Sequence, residues 1–198
     1  MTVPARQIRA AHDAETLVVY QAFRPAIAEA ALRAGRFVPP FSFGRMTWIK
    51  PSFTWMMHRS SWATAPGQER VLAIRMRRDG FAEALSLACL SSFHPDVHDS
   101  RDSWRQQLRL SEVRVQWDAE RSWTLEPLPF RTIQVGLRGR AVTRYVDRWI
   151  DSIDDITDRV HAARDLVRIG DIEAARVLSP VEDELVVPAQ IRHRLAMS

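Results

Sequence analysis

The chain has 198 residues, 46% of them hydrophobic and 26% charged, with a formal net charge of +4 and an isoelectric point near 10.1. These values suit one globular domain and exclude collagen, a disordered tail and a coiled-coil rod. There is no run of 18 apolar residues, the first residues lack an apolar leader, and the one cysteine, Cys89, has no internal disulfide partner, so the sequence predicts a cytoplasmic protein with no membrane partner.

In chain order, the β-branched run Thr16 to Gln21 reads as a buried strand. Pro25 suits the first turn of a helix whose apolar face is Ile27, Ala30, Ala31 and Ala34, with Gly35 as its stop. Residues 37–45, with two adjacent prolines and Gly44, make an aromatic loop. Met46 to Ile49 is a short strand, and Pro51 opens a helix over 52–62. A turn at Thr64 to Gly67 leads to a strand from Arg70 to Met76, and Asp79 caps a helix running to about Ala88. A loop over 91–100 precedes a short helix over 101–109. Glu112 to Trp117 alternates as a half-buried strand does, 118–123 is a turn, and Arg131 to Leu137 is a further strand. Gly139 starts a helix with Val142, Tyr145, Val146, Trp149, Ile150 and Ile153 on one side, continued over 154–168. Asp171 to Leu178 is another helix, and the tail from Val186 is a short strand or helix. Strands and helices mix without a βαβ rhythm. The prediction is a single α+β domain whose sheet is mostly antiparallel, open to being split, and flanked by helices.

Of the 28 basic side chains, 27 are arginine and one, Lys50, is lysine. GC-rich codons account for the arginine excess, and the exception is informative. A lysine amine loses its proton on burial and then acts as a nucleophile, whereas a guanidinium stays charged. The competing reading is one lysine left by chance on the surface. The basic balance fits a nucleotide, nucleic acid or other anion without demanding one.

The segment 45–62, RMTWIKPSFTWMMHRSSW, holds three of the seven tryptophans and the only lysine. On a helix from Pro51, Trp55, Arg59 and Trp62 share one face, with Trp48 and Lys50 just ahead of it. Indole faces beside cations suit a stacked base and a held phosphate; the same stripe also suits a core. Gln134-Val135-Gly136-Leu137-Arg138-Gly139, between a strand and a helix, makes Gln134 and Arg138 ligand candidates, or else a tight turn. Around the first strand Arg6, Arg9, Tyr20 and Gln21 could grip a phosphate or serve local pairs with Asp13 and Glu15. Glu69 is the best isolated candidate for a catalytic carboxylate, ahead of Glu112 and Glu126. Cys89, His94 and His98 are too few for a structural zinc site, and Asp151, Asp154, Asp155 and Asp158 read as a solvated helix face.

The stretches TLVVYQAF, AGRFVPPF, RMTWIKPSFTWMMHRSSWA, GQERVLAI and IQVGLRG resemble the DUF4291 proteins, over about Arg6 to about Thr157, with 158–198 left as a helical extension. That resemblance implies a family and no activity. More loosely, the layout is similar to that of ADP-ribosyltransferases, which hold NAD in the cleft of a split sheet. It implies Arg9, Tyr20, Ser52 and Glu69 as counterparts of their motif residues, with Gln134 where a late glutamate stands in that family.

Three readings follow. The first is an enzyme acting on a nucleotide such as NAD or ATP, or on RNA, by ADP-ribosyl or nucleotidyl transfer. In it Trp48 and Trp55 stack a base, Arg59 and Arg138 hold phosphate, Lys50 holds or attacks it, and Glu69 supplies charge. It predicts a concave site uniting 45–62 with 134–139. The second is a non-catalytic nucleotide or single-strand binding module using the same residues. The third is a structural or partner-binding protein with Trp48, Trp55 and Trp62 sealed in the core and Lys50 on open surface.

Overall fold

The computed structural model describes residues 5–197. Along the chain run β1 (Arg9–Ala10), β2 (Thr16–Phe23), α1 (Pro25–Ala34), β3 (Thr47–Ile49), α2 (Phe53–Ser60), β4 (Arg70–Arg77), α3 (Arg78–Ser86), β5 (Ala88–Leu90), α4 (Arg101–Leu110), β6 (Val113–Arg121) and β7 (Pro127–Leu137). Then follow α5 (Arg140–Arg144), a π-helical turn (Tyr145–Trp149), β8 (Ile150–Asp155), α6 (Thr157–Arg168), α7 (Ile172–Val177), β9 (Asp183–Glu184) and α8 (Ala189–Arg194). The architecture is α+β.

The strands form a half-sheet β2-β4-β8, a half-sheet β3-β7-β6-β5 and a ribbon β1-β9. All pairings are antiparallel except β5 with β6. The two half-sheets meet at one residue pair: Tyr20 N–H donates to the Lys50 carbonyl at 2.7 Å and Lys50 N–H to the Tyr20 carbonyl at 3.3 Å. Beyond that pair β2 and β3 diverge. The Gln21 amide spans the gap, donating to Thr47 Oγ1 at 2.6 Å and to the Trp48 carbonyl at 3.1 Å. Its own oxygen accepts from the Tyr145 hydroxyl at 2.9 Å. The sheet is therefore split, with its opening beside β3.

Both faces of the first half-sheet are covered, so its strands read as continuous apolar runs. Leu17, Val19, Leu72 and Ile74 face the larger core, which continues through Val115, Val135 and Tyr145. Val18, Tyr20 and Val71 face a smaller core with Phe53, Met56, Met57, Trp62 and Val160. The alternation follows from the two-residue period of a strand.

Local chemistry explains the helix ends. Pro25 sits in the first turn of α1, and Gly35 at φ 66° closes it with the Schellman-type bonds that a side chain would disfavour. Ser52 caps α2 by accepting from Trp55 N–H. That helix stops at Ser60, two residues short of the predicted end. Ser61, Trp62 and Ala63 follow in left-handed backbone at φ 50°, 57° and 62°, a cost of about 1–2 kcal/mol per residue. The turn drops the Trp62 ring between Phe53 and Trp123, and its burial offsets part of that cost.

Four expectations change. Residues 118–121 continue β6 rather than turning, because β7 extends back to Pro127 and supplies their ladder partners. Residues 150–155 form β8 rather than helix. The free edge of β4 takes them up, with Ile74 opposite Ile153, so tertiary pairing overrides the helical spacing of Tyr145, Trp149 and Ile153. Asp151, Asp154 and Asp155 thus lie on a strand. Asp79 falls inside the first turn of α3, whose N-cap is Arg77, and Ala88 begins β5.

Candidate functional site

β3 is three residues long and delivers the site. Trp48 pairs with Gly136 of β7, and Ile49 with Val135. The indole of Trp48 lies over Gly136, where a Cβ would stand 3.0 Å from the ring and 2.9 Å from Met46 Sδ. Only glycine leaves room for that ring. Two residues on, Lys50 shares the face of Trp48. Across β7 and β6 the same face carries Gln134 opposite Gln116 and Thr132 opposite Asp118. The polar side of β6, Gln116-x-Asp118-x-Glu120, thus runs along this face, with Gln116 at the opening of the split sheet and Glu120 at a separate cavity.

Lys50 is 7% exposed. Its Nζ lies 5.3 Å from the centre of the Trp55 ring, a cation–π contact. No carboxylate forms an ion pair with it among the described residues. Burial, helped by the neighbouring Arg59, pushes its pKa from 10.5 down to about 7, against a smaller opposing pull from Asp118. Asp118 is held by two amides: Gln116 donates to Oδ1 at 2.8 Å and Gln134 to Oδ2 at 2.6 Å. Burial, then Arg121 and Arg59, also lower His58 on α2, so this side of the helix carries a positive field.

The opening is a cleft of about 530 Å3 lined by Gln21, Trp48, Lys50, Arg59, Gln116 and Gln134, with Arg45 beside them. Indole, guanidinium, amine and amides face one void. Together they can stack a planar ring, neutralise phosphate and offer a nucleophile.

Among the candidates, the cleft brings together Trp48, Lys50, Arg59 and Gln134. Trp55, 7% exposed, backs Lys50 instead of lining the void. Tyr20 contributes its backbone to the bridge, while its ring packs edge-on against Phe53 in the smaller core. Its hydroxyl is buried without a hydrogen-bond partner, and burial pushes its pKa up. Arg9 lies at a different cavity, donating to the Glu182 carbonyl at 2.7 Å. Arg138 ties down the end of α4 through the carbonyls of Ser111 and Arg109. Gly139 turns tightly beside Glu112, as the turn reading has it. Glu69 accepts from Gly67 N–H at 2.8 Å and fixes the turn before β4; it is not among the residues lining the cleft.

The sequence reading passed over Gln116, Asp118 and Glu120. Their signal is the alternation already seen in Glu112 to Trp117: the polar positions of a half-buried strand line up on one face, which runs from the split at Gln116 to the second cavity at Glu120.

The family model described as a domain of unknown function, DUF4291, matches residues 7–185. The chain belongs to the DUF4291 family. No curated protein matches it. In this DUF4291 protein the match runs past Thr157 through α6, α7 and β9, so the segment that closes over the N-terminal end of α2 falls within the family region. Among its described residues no helix is long and apolar enough to cross a membrane.

Proposed function

We propose that this DUF4291 protein is a nucleotide-directed transferase that binds a nucleoside triphosphate in the split-sheet cleft and forms a covalent intermediate on Lys50. The observation that carries this reading is the state of the one lysine: buried at 7% exposure, opening into a cleft, with a pKa near 7. About half of such an amine is unprotonated at neutral pH, so it is a competent nucleophile without a separate base. The base stacks on Trp48, and Arg45 and Arg59 neutralise the phosphates. The Lys50 nitrogen attacks the α-phosphorus. A P–N bond forms, the bond to the bridging oxygen breaks, and pyrophosphate leaves with the electron pair. The displaced amine proton passes to water or to Asp118.

Nucleotidyl transfer is favoured over ADP-ribosyl transfer because the group facing the void is an amine and no carboxylate is among the cleft-lining residues. RNA is the acceptor class that the net charge of +4 suits. The test is intact-mass analysis after incubation with ATP, GTP, CTP, UTP and NAD in turn. One nucleoside triphosphate should add a single nucleotidyl group, mapped to Lys50, stable to alkali and released by acid as a P–N bond is. Lys50→Arg should keep the fold and lose the adduct. Salt-sensitive nucleotide binding without any adduct would leave the non-catalytic binding module. Absence of both binding and adduct would leave the structural reading.

A further inference from the structure

A second cavity, of about 590 Å3, opens at the other end of the same sheet face. Phe53, Trp123 and Phe130 are among its walls, Glu120 is in it, and Arg9, Arg121 and Arg176 contribute cations. It is tied to the Lys50 cleft by the chain itself. Ser52, two residues after Lys50, donates its hydroxyl to Glu120 Oε1 at 2.8 Å, and Glu120 lies two residues beyond Asp118 on β6. Arg121 N–H donates to the same oxygen at 2.7 Å. The register of β6 against β7 slips between Ala119 and Arg121, the kind of irregularity that re-aims a side chain.

Glu120 is 5% exposed. Its Oε1 accepts from the Ser52 hydroxyl at 2.8 Å, from Arg121 N–H at 2.7 Å and, at 3.4 Å, from the Thr54 hydroxyl. Thr132 Oγ1, buried on β7, lies beside the carboxyl and pulls its pKa down against the larger effect of burial. Burial pushes the Glu120 carboxyl up, which strengthens it as a base. Glu182, whose Oε1 accepts from Phe53 N–H at 2.6 Å, is pushed up to about 8 by burial, with Glu120 adding to the effect. Glu182 is then largely uncharged at neutral pH and does not repel an anion. The arginines keep N–H groups to spare: Arg9 bonds one carbonyl, Arg121 one carbonyl, and Arg176 one exposed carboxylate.

We infer that this cavity is the acceptor site of the same enzyme, holding the end of a single-stranded RNA with Glu120 as the general base for its terminal ribose hydroxyl. The inference rests on the transferase reading of Lys50. Aromatic walls stack a base with little sequence preference, and the arginines take the adjoining phosphates. The hydroxyl oxygen attacks the phosphorus held on Lys50. The new P–O bond forms, the P–N bond breaks, and the hydroxyl proton goes to Glu120. An equivalent proton returns to the departing lysine nitrogen, so the enzyme regenerates with its amine free.

The experiment uses the full chain, radiolabelled nucleoside triphosphate and a short single-stranded RNA. The RNA ends either in a free cis-diol or in a 2′,3′-dideoxy nucleotide. Wild type should pass the label to the diol end alone. Glu120→Gln should accumulate labelled protein and deliver label to RNA at least about 100-fold more slowly, the scale of a lost general base. Transfer by Glu120→Gln at the wild-type rate, or transfer to the dideoxy end, would overturn the inference. RNA affinity, read by fluorescence anisotropy without triphosphate, tests the cavity separately. Trp123→Ala and Arg176→Ala should each weaken binding several-fold, and unchanged binding in both would overturn it. If wild type forms no adduct, the transferase reading has failed, and with it the role of Glu120; the anisotropy arm then still decides whether the cavity binds RNA.

Discussion

Because Lys50 is the only lysine, its titration can be read directly and through stability. Its folded pKa of about 7 against 10.5 for a free amine means that folding penalises the protonated form. At about 1.36 kcal/mol per pH unit the full penalty is about 5 kcal/mol, an upper figure. The sign follows from proton counts. Below pH 7 the amine is charged in both states and the whole penalty is present. Between about 7 and 10.5 the unfolded chain binds more protons, so stability rises with pH. Lys50→Met removes the titration while keeping length and burial. The stability difference between variant and wild type should therefore shrink by about 3 kcal/mol from pH 6 to pH 9, groups common to both cancelling. In a domain of this size that is about 6–12 °C in relative Tm. Denaturant melts at six pH values give the difference curve. Selective 13Cε-lysine labelling gives one side-chain resonance whose midpoint should fall near pH 7. A flat difference curve together with a midpoint near 10.5 would refute both the burial argument and the nucleophile built on it.

Three other outcomes follow from the packing. Gly136→Ala places a methyl 3.0 Å from the rigid Trp48 ring; it should destabilise by about 1–3 kcal/mol and weaken nucleotide binding, and an unchanged Tm and affinity would mean that the ring does not rest there. Tyr145→Phe strips the donor from buried Gln21 Oε1; it should cost about 1–3 kcal/mol by chemical denaturation and loosen the β2–β3 gap, seen as faster amide exchange at Thr47 and Trp48. Glu182→Gln reverses the sign found for Lys50. The folded carboxyl keeps its proton up to about pH 8 while the unfolded one loses it near 4.5, so wild-type stability falls across that window as pH rises. The glutamine variant should not show that fall, and parallel pH profiles would contradict the placement of Glu182 under α2.

How much of this was legible in the sequence depends on where each signal resides. Local signals carried through: Pro25 and Gly35 bound α1, the short helix expected over 101–109 forms as α4, and the helix expected from Asp171 forms as α7. The 45–62 block announced the cleft because its residues are unusual in type, a lone lysine among indoles. What failed needed a partner in space. Nothing in Ile150–Asp155 states that β4 has a vacant edge, and helical spacing of apolar residues there fits either outcome until the edge is known. Arg138, Glu69 and Arg9 look free in sequence, but each finds a nearby backbone group: carbonyls for the two arginines and an N–H for the glutamate.

Asp118 and Glu120 show the deeper reason that the site was only half visible. Each is an ordinary acidic residue on a strand with polar and apolar positions alternating, the commonest pattern of a solvent-facing edge. Their meaning changes because the face they occupy is roofed by α2, which packs across both β2 and β6. Desolvation under that roof raises Glu120, lowers Lys50 and leaves Gln134 and Gln116 to hold Asp118. One geometric fact, a helix laid over the polar side of a half-buried strand, thus sets the protonation state of the amine in one cleft and of the carboxylates beside it. A reader of sequence can anticipate it wherever a capped amphipathic helix with buried aromatics follows a short strand and a later strand alternates polar with apolar. The two are then candidates for roof and floor of the same site.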